Sequence, residues 1–365
     1  MTSAALRPSP GPTADPVRTA RELADTVLRP QAERADTEGV DRAVVDQVGR
    51  AGLLGLAGPR GYGGEDAPAP LRRQVDELLA GADASTWFVT TQHSMPLQTL
   101  SRSDNVALRE RHLRGMCTGG LLSGVAFAHL RRPGAPAVSA TRRTGGWRFD
   151  GAVGWATSWG IADLLLLGGL SPAGEVVFAL VPAAVQPGLA ASPPMRLAAM
   201  QGTQTVRLAL DGLEVADSDV AEVSRAATWL EADRLRTANV TPAVFGLLQE
   251  VVRRLAETAA RRGDGTAREL ARQLDDEAQE LRSAAYALVD HVPPDEQVDD
   301  RLALRAASLE LGVRAATALV TATGGSAMEL GNAAQRLARE ALFLLVQAQT
   351  PPVREATLRR LGERR

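Results

Sequence analysis

The sequence contains no lysine, so all 41 of its basic residues other than histidine are arginines. A phosphate-binding P-loop uses a lysine to reach the β- and γ-phosphates, and Schiff-base catalysis uses a lysine amine. Both classes of chemistry are therefore excluded. The arginines are balanced by 43 acidic residues, and the net charge of −2 favours neither nucleic acid nor an acidic membrane surface as a partner.

Cysteine is almost as scarce. Cys117 is the single cysteine, which excludes an internal disulfide and a multi-cysteine metal site, and no metal is expected. Because Cys117 stands just before an apolar run, we interpret it as a buried structural thiol. The sequence also lacks an apolar run of roughly 20 residues and a signal-peptide core, so it predicts a cytoplasmic protein without a membrane span.

The first third of the chain is predicted to be helical. Residues 1–15 are rich in proline, serine and alanine and are predicted to be disordered. Apolar residues at helical spacing predict a helix over 16–28, ending before Pro30. Two further helices are predicted, over 41–54 and 71–80. We therefore assign residues 16–118 to an N-terminal helical domain.

A glycine-rich turn, residues 52–68, separates two of these helices. Its glycines and prolines exclude helix and strand, and it lacks both the P-loop and the GxGxxG frame of a phosphate cradle. After the next helix, Asp83 or Ser85 is the expected N-cap of another.

The pattern changes twice more along the chain. Residues 119–225 contain short apolar or alternating runs split by Gly, Pro and Asp, which is typical of an antiparallel β domain. Helical periodicity returns at 226 and continues to 365, with interruptions at 261–266 and 291–297. The sequence therefore predicts an α+β protein with a C-terminal helical bundle.

The last part of this bundle has a distinctive order of residues. Gly324-Gly325 ends one helical run, and from Ala333 a new helix is predicted, with Leu337, Ala341, Leu344 and Leu345 facing the core. Its opposite, polar face would carry the following side chains: Gln335, Arg336, Arg339 and Glu340. Pro351-Pro352 is expected to stop this helix.

Together these motifs resemble the acyl-CoA dehydrogenase superfamily. The resemblance covers nearly the whole chain and includes the turn Tyr62-Gly63-Gly64, the helix start at Asp83, the stretch GWATS at 154–158 and the segment 324–350. It implies the superfamily's fold, in which a β domain lies between two helical domains. It also implies a homo-dimer or homo-tetramer and bound FAD, with FMN as the alternative.

The resemblance assigns flavin contacts to particular positions: Trp155, Thr157, Ser158, Gly324, Gly325 and Thr350. The superfamily places a tryptophan against the isoalloxazine and a threonine hydroxyl near N5, which here implies Trp155 and Thr157. Considered alone, a tryptophan in a β run is more often a core residue.

The chain departs from the superfamily pattern at the catalytic base. The glutamate of short- and medium-chain members falls on Ala348, and the second known base position, matched through Asp233 and Arg236, falls on Leu235. Neither side chain can accept the α-proton of a thioester. A shift of register would leave three acids as substitutes, each of which could instead be a solvated helix charge: Glu231, Asp233 and Glu355.

Two further elements differ from the pattern. The loop that helps to hold flavin phosphate and thioester reads RRPGAPAV, residues 131–138, without its acidic and serine positions. The arginine element that normally reaches a neighbouring subunit's FAD retains Arg261 or Arg262 but lacks its phenylalanine. Both changes place coenzyme A binding and tight FAD binding in question.

Three functions follow as hypotheses. The first is a flavin-dependent dehydrogenase or oxidase with altered chemistry, acting on an acyl thioester or another small organic substrate. The second is a flavin monooxygenase supplied by a flavin reductase, in which His93, or more weakly His129, faces the flavin; a satisfied core or surface histidine is the alternative interpretation. The third is a non-catalytic subunit of a hetero-oligomer.

Overall fold

The computed structural model describes residues 15–363, and the predicted disorder of residues 1–14 lies outside them. Seven helices form the N-terminal domain: α1 (Pro16–Leu23), α2 (Arg29–Glu38), α3 (Arg42–Arg50), α4 (Ala69–Ala82), α5 (Ala84–Thr91), α6 (Ser94–Ser101) and α7 (Val106–Cys117). Side-chain caps fix several of their starts. Asp83, for example, accepts a hydrogen bond from the backbone N–H of Thr86 at 3.0 Å, as the sequence predicted for this N-cap.

The first predicted helix does not end before Pro30. A π-helical turn, Ala24–Leu28, joins α1 to α2, and the chain remains helical to Glu38. Pro30 has no N–H to donate and its ring crowds the preceding turn, so a local widening of the helix accommodates it. Buried Ala20, Ala24 and Leu28 keep this continuous helix on the core.

Eight strands form the middle domain: β1 (Ser123–Ala126), β2 (Val138–Arg143), β3 (Gly146–Ala156), β4 (Leu164–Leu170), β5 (Glu175–Pro182), β6 (Leu189–Ala191), β7 (Val206–Ala216) and β8 (Val220–Arg225). The spatial order is β6-β7-β3-β2-β4-β5-β8, and β1 pairs with β4. Most pairs are antiparallel, as expected, but β1 and β2 both run parallel to β4. Alternation along β7 directs Leu208, Leu210 and Val215 into the core of this domain.

The C-terminal domain follows β8 without a linker. Its helices are α8 (Ala226–Ala238), α9 (Pro242–Arg262), α10 (Gly265–His291), α11 (Val298–Thr323), α12 (Ala333–Leu344) and α13 (Pro351–Gly362). One hydrophobic core joins this bundle to the N-terminal helices. Gly81 on α4 and Gly246 on α9 allow this, since a Cβ on Gly246 would lie 2.1 Å from the carbonyl oxygen of Glu77.

The predicted polar face of α12 is partly wrong. Leu337, Ala341 and Leu344 are buried as expected, but Arg336 and Glu340 are buried too and pair with each other at 2.6 Å. Other elements cover this face, which a helical period cannot reveal. The two prolines also differ from expectation, because α12 has ended at Leu344 and Pro351 and Pro352 begin α13, where a missing N–H removes no helical bond.

No helix in the described part of the chain is long and apolar enough to cross a membrane.

Candidate active site

The end of β3 and the turn that follows it hold three of the predicted flavin contacts. Trp155 is the outward residue of the strand end, and its 47% exposure leaves the indole accessible, whereas Thr157 and Ser158 are buried. The Thr157 hydroxyl is 3.1 Å from that of Thr205. Ser158 adopts a φ of 70°, and its buried Oγ has no hydrogen-bond partner among the described residues. A ligand group that bonded this hydroxyl would remove an unsatisfied polar atom.

A buried carboxylate lies where α8 meets the β domain. Asp233 is 4% exposed and receives two hydrogen bonds from Arg131, Nε to Oδ2 at 2.7 Å and Nη2 to Oδ1 at 3.1 Å. Arg236, one turn further along α8, also donates to Oδ1. Burial would raise the pKa of Asp233, but the bonds and charges of the two arginines outweigh it and lower this pKa below its ordinary value.

A third arginine enters the same place from α11. Arg305 is 3% exposed and donates to the carbonyl oxygens of Thr237 at 2.5 Å and Gln347 at 2.8 Å. Burial, together with the positive charges of Arg131 and Arg236, lowers the pKa of Arg305 to about 10. We call these four residues, Arg131, Asp233, Arg236 and Arg305, the Asp233 cluster.

The Asp233 cluster connects to the segment that carries the superfamily's base position. Gln347, whose carbonyl accepts from Arg305, immediately precedes Ala348, and Ala348 has a φ of 50° in the left-handed region. Thr350, the N-cap residue of α13, is buried and makes no capping bond through its side chain. Its Oγ1 has no hydrogen-bond partner within residues 15–363. The cluster therefore lies next to the unusual segment and not on a remote surface.

Of the three acids considered as substitute bases, only Asp233 is buried. Glu231 pairs with Arg234 and Glu355 pairs with Arg359, and the side chains of both glutamates are more than half exposed. They are the solvated helix charges that the alternative interpretation described. Leu235, which occupies the second known base position, is half-buried and offers no acid.

His93 makes the contacts of a structural histidine. Its Nδ1 accepts from the backbone N–H of Ser123 at 3.0 Å, so Nε2 carries the proton and donates to the carbonyl oxygen of Met116 at 3.1 Å. The ring is 1% exposed, and burial lowers its pKa to about 4, against the effect of the Met116 bond. With both nitrogens engaged, His93 has no free polar atom for a flavin, and we do not assign it a catalytic role.

His129 is a different case. Its Nε2 lies 2.9 Å from the carbonyl oxygen of Gly168, and burial lowers the pKa of the ring to about 4. The neutral Nδ1 is buried without a hydrogen-bond partner in the described chain. His129, which carries this unpaired acceptor, is two positions before Arg131 of the Asp233 cluster in the sequence.

Gly324 and Gly325 lie on the exposed surface at the end of α11. A Cβ on Gly325 would meet no atom within 4 Å, so packing inside one chain does not require glycine there. Arg262 donates to the carbonyl oxygens of Ala322 and Thr323, at 2.5 and 2.8 Å, and so satisfies the last turn of α11. No contact joins this corner directly to the Asp233 cluster in the part of the chain that the structure describes.

Two residues of the Asp233 cluster were not singled out from the sequence. Arg131 marks only the start of a changed loop, and Arg305 belongs to none of the motifs that carry the resemblance. The signal for Arg305 was present, because Arg301 and Arg305 share the face of α11 that carries buried Leu309 and Gly312. Arginines on an apolar face must find partners in the interior, so they identify polar sites.

The comparisons with known proteins agree with this architecture. Residues 15–120 match the family model described as acyl-CoA dehydrogenase, N-terminal domain. A glutaryl-CoA dehydrogenase from Mycobacterium smegmatis, in complex with FADH2, matches with a TM-score of 0.80 over 95% of this chain and 94% of that one, at 17% identity. The N-terminal third of the chain thus matches this family, and the chain as a whole has the acyl-CoA dehydrogenase fold.

Other solved structures match equally well. Butyryl-CoA dehydrogenase from Megasphaera elsdenii has a TM-score of 0.78 at 16% identity, covering 96% of this chain and 97% of that one. The FAD complex of PigA has a TM-score of 0.79 at 17% identity, covering 99% of both chains. At these identities the likeness establishes the fold alone. No curated protein sequence matches the chain.

The described residues fit a flavin. The accessible indole of Trp155 provides an aromatic surface, and the buried hydroxyls of Ser158 and Thr350 are donors and acceptors without partners. The element order and the structural comparisons confirm the predicted fold, while the individual flavin contacts remain predictions. No group of three potential metal ligands occurs within residues 15–363.

Proposed function

We propose that the protein is a flavin-dependent dehydrogenase or oxidase in which Asp233 replaces the missing glutamate. The observation that supports this most directly is the burial of Asp233 beside the segment of Ala348. FAD, or FMN in its place, would be held by Trp155, Thr157, Ser158, Gly324, Gly325 and Thr350, and when bound supplies the acceptor for hydride.

Asp233 would act on a proton of the substrate. Its lowered pKa keeps the carboxylate ionised at neutral pH, so it is always ready to accept a proton but is a weak base. The C–H bond beside a thioester carbonyl is itself only weakly acidic, so proton removal by Asp233 would depend on stabilisation of the resulting anion by neighbouring positive charges. Because Arg131 occupies both carboxylate oxygens, one of its bonds must open before Oδ2 or Oδ1 can take the proton.

The arginines of the cluster would then stabilise negative charge. Arg131, Arg236 and Arg305 exceed the single carboxylate by two positive charges. Arg131 and Arg305 are largely buried, whereas Arg236 is half exposed. Guanidinium groups beside a desolvated site favour an oxyanion such as the enolate that proton removal from an acyl thioester produces. Similar structures include butyryl-CoA dehydrogenase and a complex of glutaryl-CoA dehydrogenase with glutaryl-CoA, and PigA has a structure with FAD and proline. An acyl thioester is the substrate class we propose.

The test is anaerobic reduction of the FAD-loaded protein by a panel of acyl thioesters. We expect at least one thioester to bleach the flavin band. Asp233→Asn should slow this reduction by about 10²- to 10⁴-fold, the range for loss of a general base. Glu231→Gln removes a neighbouring exposed carboxylate and should leave the rate unchanged. If no thioester bleaches the flavin, or if Asp233→Asn reacts like the wild type, the proposal is wrong.

The other two hypotheses predict different results. A monooxygenase would consume oxygen when a flavin reductase and NADH are supplied, yet the engaged nitrogens of His93 provide no support for it. A non-catalytic subunit would purify with a homologue and would bind no flavin alone. A flavin-bound homo-dimer or homo-tetramer that turns over would exclude that alternative.

A further inference from the structure

A second polar site lies in the N-terminal domain. A cavity of about 320 Å³ opens between the glycine-rich turn, the first turn of α4 and the end of α6. Its polar lining consists of Arg60, Arg72, Arg102, Asp66, Gln98 and Ser101. None of these residues belongs to the Asp233 cluster. The volume of the cavity is at the lower end of the range for small-molecule sites.

None of the three arginines of this cavity forms a salt bridge within residues 15–363, although the charge of Arg72 acts on the carboxylate of Asp76 one turn further along α4. Arg60 and Arg102 are exposed, and Arg72 is half-buried. The Nε of Arg72 is buried and makes no hydrogen bond to a described residue. Arg60 is held through its Nε, which donates to the carbonyl oxygen of Glu65 at 3.2 Å. The cavity therefore presents unused guanidinium donors.

The turn that forms one wall is rigidly placed. The backbone N–H groups of Asp66 and Ala67 donate to the carbonyl oxygens of Gly58 and Leu56, at 2.8 and 2.7 Å. Gly58 packs so tightly that a Cβ there would lie 2.5 Å from Sγ of Cys117. Cys117 is thus the buried packing residue that the sequence indicated, and it fixes the wall that carries Arg60.

We propose that this cavity binds the phosphate group of a small molecule. Guanidinium forks match the oxygens of phosphate, and three of them with one carboxylate, Asp66, leave two positive charges in excess. Asp66 would accept a hydrogen bond from a hydroxyl or amine elsewhere on the same ligand. The glycine-rich turn lacks a backbone phosphate cradle, and the arginine side chains of the cavity would bind the phosphate in its place.

Isothermal titration of the full-length protein tests the proposal, with inorganic phosphate, pyrophosphate and AMP as probes and succinate as the comparison anion. We expect one saturable site, weakened roughly tenfold or more by Arg72→Gln and by Arg102→Gln, because each loses a charge-assisted bond. Arg143→Gln is the matched control, since Arg143 is an exposed arginine of β2 that forms no salt bridge with another described residue. It should bind like the wild type.

The probes separate two sources of the phosphate group. Tighter binding of AMP than of inorganic phosphate, lost in Asp66→Asn, indicates a phosphate ester, whereas the reverse order indicates free phosphate. Absence of saturable binding, equal weakening by Arg143→Gln, or equally tight binding of succinate would overturn the proposal. None of these results depends on turnover by the Asp233 cluster.

Discussion

Arg336 and Glu340 form one buried ion pair on α12, and Arg131 and Asp233 form another between the β domain and α8. Both carboxylates are nearly inaccessible, with side-chain exposures of 2% for Glu340 and 4% for Asp233. Their pKa values nevertheless move in opposite directions. That of Glu340 is raised to about 7, whereas that of Asp233 is lowered.

The number of donors explains the difference. Burial raises the pKa in both places, but Asp233 receives bonds from Arg131 to both oxygens and a further bond from Arg236. Glu340 receives one bond, at 2.6 Å, and its Oε2 has no hydrogen-bond partner among the described residues. The nearby carboxylates of Asp83 and Asp36 raise the pKa of Glu340 further.

The two pairs therefore have different physical roles. The pair on α12 belongs to the core between the N- and C-terminal helices. A buried carboxylate with a raised pKa lowers the free energy of unfolding there when it is ionised. The pair at Asp233 has a surplus of positive charge and a carboxylate that stays ionised, which is useful for binding and proton transfer. Burial of a charged pair does not by itself identify a functional site.

Removing Arg336 should have the largest effect on stability. Arg336→Ala leaves Glu340 buried without its cation, and at pH 8 we expect the free energy of unfolding to fall by about 3–5 kcal/mol. Urea unfolding measures the loss. Arg359→Ala breaks an ion pair of the same residue types and spacing on the exposed face of α13, where each partner is more than 70% exposed, and should leave stability unchanged. Equal losses in the two variants would contradict this.

The pH dependence of stability should reveal Glu340 next. Because its folded pKa is raised above the ordinary 4.5, the native state binds the proton more tightly, and this contribution to stability is lost as pH rises from about 4.5 to about 7. The loss could reach about 3 kcal/mol. Glu340→Gln should abolish this slope, as measured by urea unfolding at several pH values. An unchanged slope in the variant would show that Glu340 is ionised throughout.

The order of helical, β and helical parts could be predicted from sequence because periodicity and motif order extend over many residues. The face of α12 could not, since Arg336 and Glu340 stand at polar positions of a helix whose polar side is covered by α2 and α5. The predicted end of the first helix before Pro30 was wrong for a similar reason. A proline disfavours a helix locally, but a π-turn and the buried face of Leu28 preserve it.

The candidate site was predictable only in part. Asp233 and Glu231 are two residues apart on one short helix, and nothing in their spacing shows that a loop of the β domain covers one and leaves the other in solvent. The position of Arg131 depends on that loop, and Arg305 comes from a helix some 70 residues further along the chain. Long-range contacts of this kind form the site, and they leave no local signature.

Asp233→Asn should have a smaller effect on stability than Arg336→Ala and the opposite pH dependence to Glu340→Gln. The substitution keeps the shape but removes the charge that Arg131 and Arg236 contact, and we expect a loss of about 2 kcal/mol at neutral pH. Because the folded pKa of Asp233 is lowered, its contribution is fully present above the unfolded pKa of about 3.9 and is lost as pH falls below it. The difference between wild type and Asp233→Asn should therefore shrink towards pH 3. A difference that instead grows in acid would mean that Asp233, like Glu340, is destabilised by its burial, and the contrast between the two pairs would disappear.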